Sequence, residues 1–523
     1  MKIETLDTTV VNYINEIKAN YDQKIKELET NVITYQNKYL EIKERYDLLV
    51  YKRFARSTEQ FLADSKHPLL FSEEKEEPQV AEDQEHQEQT EVKSYKRNKA
   101  GRKAIDSAIP REERIVDIPE AEKICACGAD LSRIGEESNE KLHIIAPRIY
   151  VEKTIRPKYA CRSCEGTEEE GKRPVRIAAV SPTMIPRGIA SPSLLSTILI
   201  QKYEDHLPYY RQEKQFQRIG VSISRQDMSN WQQQVYTKLK PIFERLKQTL
   251  KSGPVIQMDE TTVQVMGEEG QEDTKKSYMW LARGGPPGKT VVLYEYRPTR
   301  AAYHARSFLE GYSGYLQTDG YEAYDTAVKD MREIVHVGCF AHARRKFFEA
   351  SKATKKSKSA EEGIKYIRKL YYIENQMREQ FPDEKRFIEE RKKSAQPVLS
   401  DFKGWLIKRS EEVPPSLLLG KAIHYSLSQW NKMTAYLESP CLTPDNNACE
   451  NAIRPFVLGR KNWLFNQSPD GAESSCGMYS LIETAKQNGL VPLHYLVALF
   501  EKAPLAVEAE DWEKLLPWNI VTA

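Results

Sequence analysis

The sequence lacks the features of composition that would assign it to a class at once. Its 78 lysines and arginines are balanced by 76 aspartates and glutamates, so neither sign of charge is in large excess. Net charge therefore does not point to any particular class of partner, and any surface for nucleic acid has to be a local cluster of basic residues. The chain also has no run of 18 or more apolar residues, which excludes a membrane-spanning helix.

Signals of secretion are missing too. The first residues, MKIETLDTTVVNY, contain no basic segment followed by an apolar stretch, so we expect no signal peptide. Eight cysteines among 523 residues are few, and in a reducing cytoplasm such residues bind metal or pack more often than they form disulfides. We therefore expect a cytoplasmic protein of several domains, because one core rarely exceeds about 250–300 residues.

Residues 10–50 contain neither proline nor glycine, and they carry a heptad repeat. Eleven of its twelve a and d positions are apolar or aromatic, and Lys18 is the exception. The a positions are Val11, Lys18, Ile25, Val32, Tyr39 and Tyr46, and the d positions are Ile14, Tyr21, Leu28, Tyr35, Ile42 and Leu49. A repeat of this length favours a coiled coil, and hence a homo-oligomer. The alternative is a long helix packed on its own chain.

The next segment lacks the residues that build a core. Residues 72–92 hold nine acidic side chains and one lysine, and their only bulky apolar residues are Val80 and Val92. This composition predicts a disordered acidic linker. Residues 93–103 are basic and contain no acid, and Arg102 and Lys103 are candidates for contacts with DNA phosphates. A solvated linker explains this basic arm equally well.

Four of the eight cysteines form two close pairs, Cys125 with Cys127 and Cys161 with Cys164. Two pairs of thiolates joined by a loop suit a structural, tetrahedral Zn²⁺ site, and such a site stabilises a segment whose core is small. We therefore predict a zinc-binding module here. Buried or free cysteines are the alternative.

The segment that follows the cysteines has helical patterns, and it contains a predicted helix-turn-helix. A first helix ends at Gly220, and Ser222 or Ser224 is the candidate N-cap of a second helix. The second helix would present Ser224, Arg225 and Gln226 to base edges and phosphates. Because helical hairpins are common, this pattern alone is weak evidence for DNA binding. Its position directly after the predicted zinc module strengthens the assignment.

Strand patterns begin after Gly253. Residues 254–259 and 314–319 are short apolar runs that each end in an aspartate, and two more strands are predicted at 277–283 and 290–296. Three antiparallel strands, a helix, a strand and a helix are the order of a ribonuclease-H-like fold. We expect Asp259 and Asp319 to converge at one sheet edge, since a carboxylate at a buried strand end is costly unless it is paired or binds a cation.

The third acid of the candidate site lies on a predicted helix. Thr443 is a suitable N-cap for this helix and Pro444 a suitable first residue. Glu450 and Arg454 are four residues apart and therefore share one face. Pro455 predicts a kink just after them.

Two aspartates and a glutamate are the ligand set that a pair of Mg²⁺ ions requires. Mg²⁺ prefers carboxylate and phosphate oxygens, and two such ions about 3.5–4 Å apart activate an attacking oxygen and stabilise a leaving one. We therefore predict Asp259, Asp319 and Glu450 as the catalytic and magnesium-binding residues. Candidates for neutralising a DNA phosphate nearby are Arg344, Arg345, Arg454 and Lys461. For Arg344 and Arg345, the alternative to a DNA contact is an ordinary helix face exposed to solvent.

Four motifs carry a resemblance to a known family: MDET at 258–261, QTDGYEAY at 317–324, CFAHARRKF at 339–347 and DNNACENAIRPFVLGRKNWLF at 445–465. Shorter similarities are AGRKAI at 100–105, DHLPYYRQE at 205–213, SLIETAKQNGL at 480–490 and LLPWN at 515–519. Together they span nearly the whole chain, which resembles the DDE transposases of the bacterial insertion-sequence-sixty-six family. One departure is the C-x-C spacing of Cys125 and Cys127, where the family more often has two residues between the cysteines.

The resemblance implies a DNA transposase whose metal-binding triad is Asp259, Asp319 and Glu450. It also implies a zipper-like N-terminus, a zinc-binding module and a helix-turn-helix for the inverted repeats at the ends of the element. Expected partners are double-stranded DNA, a second copy of the chain and accessory proteins of the same element, and the expected location is the bacterial nucleoid. Two alternatives remain: a structure-specific, metal-dependent nuclease on the same fold, and a decayed copy that acts as a DNA-binding repressor.

The predicted organisation is multidomain α+β. We expect a coiled coil at 1–60, an acidic and then basic linker at 61–110, a zinc-binding module at 111–185, a helix-turn-helix at 186–248, a ribonuclease-H-like core at 249–350 plus 440–470, a helical insertion at 351–439 and a helical tail at 471–523.

Overall fold

The computed structural model describes residues 8–54, 149–160, 175–270, 272–353 and 358–521. The chain divides into two compact units, one of residues 1–76 with 181–523 and the other of residues 77–180. The predicted zinc ligands and the basic arm lie outside the described residues: Cys125, Cys127, Cys161, Cys164, Arg102 and Lys103. The described part of the smaller unit contains an antiparallel pair of strands, β1 (Lys158–Ala160) and β2 (Val175–Ile177).

The larger unit begins with one continuous helix, α1 (Thr8–Phe54). Its C-terminal turns contact the unit's own helices: Lys52 Nζ lies 3.1 Å from Glu349 Oε1, and the backbone N–H of Leu418 donates to Glu44 Oε2 at 2.8 Å. Nearly all of the a and d side chains of the heptad repeat are exposed to solvent. The contacts of α1 with its own chain therefore use other positions of the helix.

Four helices precede the sheet: α2 (Pro192–Tyr203), α3 (Tyr209–Arg218), α4 (Arg225–Lys238) and α5 (Lys240–Lys251). A turn separates α3 from α4, and Gly220 adopts a φ of +82° in it, which a residue without a Cβ tolerates. Ser224 begins α4 through a capping box with Asp227, so the second of the two predicted N-caps is the one that is used.

A six-stranded mixed sheet lies at the centre of the larger unit. Five of its strands are β3 (Val255–Val265), β4 (Lys276–Gly284), β5 (Val291–Arg297), β6 (Gly314–Gln317) and β7 (Ile334–Val337). Their spatial order is β5-β4-β3-β6-β7, with antiparallel pairing among the first three and parallel pairing from β3 to β7. The sixth strand, β8 (Phe465–Asn466), pairs in parallel with the far end of β3.

Strand β3 is longer than the sequence pattern indicated. The prediction ended this strand at Asp259, but the strand continues to Val265, so Asp259 lies near its middle. The cause is continued pairing with β4, which β-branched residues such as Thr261 and Thr262 favour. Asp319 lies two residues beyond Gln317, the last residue of β6.

Helices connect the parallel strands and continue after them. The connections are α6 (Ala302–Leu309), from β5 to β6, and α7 (Glu322–Val328), from β6 to β7. After β7 come α8 (Phe340–Ala353), α9 (Lys358–Gln380), α10 (Glu384–Glu412), α11 (Leu418–Ser428), α12 (Trp430–Thr434) and a 3₁₀ turn at Ala435–Glu438. This group has its own apolar core around Phe347 and Phe402, which also includes Val337 of β7 and is distinct from the core that holds most of the sheet's buried residues.

The chain returns to the sheet through α13 (Asn447–Trp463) and ends with α14 (Pro469–Gln487), α15 (Pro492–Lys502), a 3₁₀ turn at Ala503–Leu505 and α16 (Ala509–Glu513). The prediction that Thr443 caps α13 and Pro444 begins it is wrong. The Thr443 hydroxyl donates to the backbone oxygen of Asp445 at 2.8 Å, and the helix begins three residues after Pro444. The helix then runs through Pro455 without ending. In the described parts of the chain, no helix has the length and apolar character needed to cross a membrane.

Candidate active site

The candidate site lies where the edge of β3 is flanked by a helix. On that side β6 pairs only with Val255–Gln257, and β8 pairs only with Gln264 and Val265. Helix α13 covers the interval between them: the Asn446 side chain, just before the helix, donates to the backbone oxygen of Met258 at 3.0 Å. Near the helix end, Arg460 donates to the hydroxyl of Thr261 at 3.2 Å. The gap in strand pairing is therefore where the helix that carries Glu450 meets the strand that carries Asp259.

Asp259 lies on β3, and Asp319 follows the end of the neighbouring parallel strand β6. Gln257 of β3 lies opposite Gln317 of β6, and each aspartate follows its glutamine by two residues. Neighbouring strands are about 4.8 Å apart, so this register brings the two aspartates to one place on the sheet. Each carboxylate accepts one backbone N–H bond, Asp259 from Glu260 at 2.8 Å and Asp319 from Tyr321 at 3.0 Å.

Glu450 lies in the first turn of α13 and is only 2% exposed. Among the residues that the structure describes, neither of its carboxylate oxygens has a hydrogen-bond partner. Two side chains of α8 face it: His342 Nδ1 lies 3.6 Å from Oε1, and the guanidinium nitrogen Nη2 of Arg345 lies 3.6 Å from Oε2. Burying a carboxylate without hydrogen bonds is expensive, so this side chain has the surroundings of a cation ligand.

The three acids interact electrostatically. Burial raises the pKa of Asp259 well above its usual range, and the negative charges of Glu260, Glu450 and Asp319 raise it further. Burial also raises the pKa of Glu450 to about 8; Arg345 opposes this rise, while Asp445 and Asp319 add to it. Mutual repulsion of this kind is relieved by a bound cation. The oxygen-only donor set of Asp259, Asp319 and Glu450 fits Mg²⁺.

Glu260, next to Asp259, is engaged in a different way. Consecutive residues of a strand point to opposite faces, and on its face Glu260 accepts hydrogen bonds from Arg300 on one oxygen and from Tyr324 on the other. The Arg300 guanidinium in turn lies 3.6 Å from the centre of the Tyr321 ring. Because both of its oxygens are held, Glu260 is a support of the site and not an available metal ligand.

A chain of polar contacts fixes the loop that contains Asp319. The Thr318 hydroxyl lies 2.8 Å from His336 Nε2, His336 Nδ1 lies 2.9 Å from Asp325, and Lys432 Nζ donates to Asp325 at 2.7 Å. The hydrogen bond from His336 and the contact with Lys432 lower the pKa of Asp325 to about 2. Gly320 leaves no room for a side chain, since a Cβ there would lie 2.6 Å from the Tyr425 ring.

A second group of metal-ligating side chains adjoins Glu450. Within the described ranges, Cys339, His342 and Glu450 are three such residues whose donor atoms all lie within 4.8 Å of one another. Asp259 and Asp319 are not in that group, and a pair of metal ions 3.5–4 Å apart does not require all three acids to be so close. Neither Cys339 nor His342 was predicted as a metal ligand from the sequence. Their C-x-x-H spacing within CFAHARRKF was the signal that identifies them.

The predicted DNA-contact residues fall on three helices. Arg454, one turn after Glu450, and Lys461, near the end of α13, are exposed, while Arg344 and Arg345 on α8 are partly buried. On α4, Arg225 and Gln226 are exposed. The hydroxyl of Ser224 is used within the protein, because it donates to Asp227 at 2.7 Å and accepts the N–H of the same residue.

Comparison with known proteins gives three matches to family models that follow one another along the chain. Residues 122–165 match the "zinc-finger binding domain of transposase IS66", residues 187–474 match "Transposase IS66 family", and residues 480–518 match the "IS66 C-terminal element". The first match spans all four cysteines predicted to bind zinc, and the second spans Asp259, Asp319 and Glu450.

Relatives of similar length occur in Sinorhizobium fredii. The uncharacterized protein y4jD is 31% identical over 422 residues, which cover 79% of this chain and 80% of that protein. The uncharacterized protein y4qI is 32% identical over 436 residues, which cover 81% of this chain and 78% of that protein.

Proposed function

Since this chain belongs to the IS66 transposase family, we propose that it cleaves DNA at the ends of a mobile element and joins those ends to a target, with Asp259, Asp319 and Glu450 as catalytic carboxylates. The observation that carries the proposal is the convergence of the three acids at the gap in the pairing of β3. Glu450, buried and without hydrogen-bond donors, gives it the strongest support.

The order of the strands supports a ribonuclease-H-like core. Three antiparallel strands, β3 to β5, are followed by a helix, a parallel strand, a second helix and another parallel strand. The succession up to the second helix is the one expected from the sequence, the last parallel strand, β7, is an addition to it, and the arrangement puts the first strand at the centre of the sheet. In such an arrangement Asp259, on β3, and Asp319, just after β6, are neighbours, and α13 places the third acid, Glu450, beside them.

Mg²⁺ would be held by Asp259, Asp319 and Glu450, and when bound it would activate the attacking oxygen and stabilise the leaving one. The chain's own residues have three further tasks. Arg300 and Tyr324 hold Glu260, and with it the strand next to Asp259. Arg345 faces Glu450, and Arg454 extends the same face of α13 towards solvent, where a guanidinium binds a phosphate through two parallel hydrogen bonds.

Recognition of DNA is assigned to the segments that precede the catalytic core. The family and its zinc-finger domain imply DNA binding. We assign the zinc to Cys125, Cys127, Cys161 and Cys164. We assign contacts with the element's ends to α4, whose exposed Arg225 and Gln226 have side chains that hydrogen-bond base edges. The turn with Gly220 and the capping box of Ser224 support the proposal that α3 and α4 form a helix-turn-helix.

Self-association is assigned to α1. In its second half, four half-buried residues recur every three or four positions, namely Glu41, Glu44, Leu48 and Tyr51, and this stripe contacts α8 and α11 of the same chain. In the heptad repeat they occupy c and f positions, opposite the a and d positions. The apolar a and d stripe therefore remains available for a second copy of α1, as a coiled coil requires.

A cleavage and joining assay tests the catalytic assignment. The substrate is double-stranded DNA from both flanks of the gene that encodes this chain, with Mg²⁺ and a plasmid target. Asp259→Asn, Asp319→Asn and Glu450→Gln should each reduce both reactions at least about 100-fold, since each removes a charge that positions the metal. Binding of the ends should persist. Asp330→Asn is the matched control, because that aspartate is exposed and pairs only with Arg306 among the contacts described.

Each other outcome has a definite meaning. Equal activity of the three variants and the wild type would show that the catalytic residues are elsewhere. Cleavage without joining would favour a nuclease over a transposase. If the wild type binds the ends and cuts nothing, even with the accessory proteins of its element, the chain acts as a DNA-binding repressor.

A further inference from the structure

Cys339 and His342 supply soft ligands on one side of Glu450. Cys339 precedes α8 and His342 lies in its first turn, so the two residues are three apart and share one face of the helix. Their donor atoms and a Glu450 oxygen lie within 4.8 Å of one another. Neither the proposed magnesium pair nor the supports of the site use the thiol or the imidazole.

We propose that Cys339, His342 and Glu450 form a binding site for a thiophilic divalent cation such as Zn²⁺, and that its occupation withdraws Glu450 from the magnesium pair and inhibits cleavage. The inhibition rests on the function proposed above, whereas the binding of the cation does not. A sulfur, a nitrogen and a carboxylate oxygen are a ligand set for zinc, while Mg²⁺ takes oxygen ligands only.

Distances at the site are close to those that zinc needs. With ordinary bonds to sulfur, nitrogen and oxygen, the ligand atoms of a tetrahedral zinc site are roughly 3.3–3.7 Å apart. His342 Nδ1 and Glu450 Oε1 are already 3.6 Å apart. The remaining separations, at most 4.8 Å, require a contraction of about 1 Å, which rotation of the side chains supplies.

Two of these three side chains, those of His342 and Glu450, have polar atoms that are available to bind a cation. His342 Nδ1 and both oxygens of Glu450 are buried, and they lack hydrogen-bond partners within the described part of the chain. Arg345 does not block the site, because its guanidinium contacts Oε2 of Glu450 while the imidazole faces Oε1. A cation bound between Oε1, the imidazole and the sulfur therefore leaves the arginine contact in place.

The surroundings of Cys339 also favour the thiolate that a metal needs. The sulfur accepts the backbone N–H of Asn446 at 3.3 Å, so the start of α13 meets it there, and it lies directly before the start of α8. Two helix N-termini stabilise negative charge at that point. Burial raises the pKa of the thiol, and a bound cation reverses this effect because it displaces the proton.

Equilibrium dialysis of the full chain against Zn²⁺ measures occupation directly. We expect two zinc ions per wild-type chain, one of them at the zinc finger and the other lost in Cys339→Ser. Cys449→Ser is the matched control, because Cys449 is an equally buried cysteine next to Glu450 but does not belong to the three-ligand group. His342→Gln should weaken binding of the second ion at least about tenfold, and thermal unfolding of each variant checks that it is folded.

Inhibition is measured separately, as the ratio of Mg²⁺-dependent cleavage with and without added Zn²⁺ for each protein. Wild type and Cys449→Ser should lose at least about tenfold in activity, and Cys339→Ser should lose much less. A wild-type zinc count that Cys339→Ser and His342→Gln leave unchanged overturns the site. Cleavage by the wild type that zinc does not affect, at full occupation of the second ion, overturns the inhibitory role. If no protein cleaves DNA, the function proposed above fails, and the zinc count still decides this site.

Discussion

At the scale of the residue, the site depends on one carboxylate that the fold leaves unsatisfied. Glu450 is buried, has no hydrogen-bond donor in the segments that the structure describes, and faces His342 and Arg345 at 3.6 Å. A single arginine at that distance does not compensate for the lost hydration, which is why the pKa of Glu450 rises to about 8. The protein therefore retains a group that lowers its stability without a cation, and such residues are common at functional sites.

This leads to a prediction about the stability of the metal-free protein. In the unfolded chain a glutamate loses its proton near pH 4.3, whereas in the folded chain Glu450 keeps it until about pH 8. Between these values the folded state binds more protons, so the free energy of unfolding falls as the pH rises, and the full cost is present above pH 8. Glu450→Gln should remove this part of the slope. Urea unfolding of wild type and variant in EDTA, from about pH 5 to pH 9, measures it.

We expect Glu450→Gln to be more stable than the wild type at alkaline pH and the difference to shrink towards pH 5. Because Asp259 is also buried and its pKa is raised, some slope should remain in the variant. Addition of Mg²⁺ should flatten the wild-type curve. Parallel curves for the two proteins would show that Glu450 is charged and well solvated in the folded state.

At this scale, the sequence predicts only those site residues that their local sequence pattern marks, without knowledge of their neighbours in space. Asp259 and Asp319 end apolar runs and Glu450 lies on an amphipathic helix, so a pattern selects them. Glu260 has the same chemistry, and only its contacts with Arg300 and Tyr324 distinguish it from a ligand. Arg300 carries no signal in the sequence, because its role arises from a loop that folds back onto β3.

At the scale of the element, the start of α13 decides where Glu450 lies, and the helices after β7 hold that start in place. Arg391 of α10 is fully buried and donates to the backbone oxygens of Ser439, at 2.8 Å, and Leu442, at 3.2 Å. Arg378 of α9 donates to the oxygen of Leu442 at 2.7 Å. Glu374 pairs with both arginines. The segment that leads into α13 is thus fixed by charges from another part of the chain.

Arg391→Met tests this arrangement. It leaves Glu374 with one partner fewer in a buried position, so we expect the free energy of unfolding to fall by about 3–5 kcal/mol. Cleavage should fall as well, since the start of α13 loses its support. The matched control is Arg409→Met on the same helix, whose exposed pair with Glu412 should contribute less than about 1 kcal/mol. Equal effects of the two substitutions, measured by urea unfolding, would contradict the role of Arg391.

The sequence predicted the type of most elements better than their ends. The strands around Asp259 and Asp319 follow from β-branched and apolar runs, but β3 extends past Asp259 because β4 continues to pair with it. The start of α13 was misplaced because Thr443 and Pro444 suit the beginning of a helix, whereas the folded chain uses the Thr443 hydroxyl inside a turn. In both cases contacts with distant residues override the local preference.

At the scale of the whole molecule, self-association through α1, as proposed above, would be linked to the proposed catalytic site. One stripe of α1 contacts α8 and α11 through Glu44 and through Lys52, which lies 3.1 Å from Glu349. Helix α8 also carries His342 and Arg345, which face Glu450. The opposite stripe is apolar and exposed. A coiled coil formed by that stripe would therefore connect two catalytic units, and a transposase that joins both ends of an element needs two such units.

Substitution on the exposed stripe of α1 tests this connection. Ile25→Asp and Leu28→Asp put charges at a and d positions whose side chains are 51% and 54% exposed in the single chain, so the monomer should keep its fold. Both changes should abolish self-association, because a charge in the seam of a coiled coil has no partner. Ile33→Asp is the matched control: it is 58% exposed on the same helix but lies at a b position, outside the seam.

Sedimentation equilibrium measures the mass of each protein. We expect dimers or larger species for wild type and Ile33→Asp, and monomers for Ile25→Asp and Leu28→Asp. Joining of paired ends should fall in the two monomeric variants, while their binding of a single end should persist. Equal masses for all four proteins would place the contact between copies elsewhere on the chain and leave the apolar stripe of α1 without a role in pairing the ends.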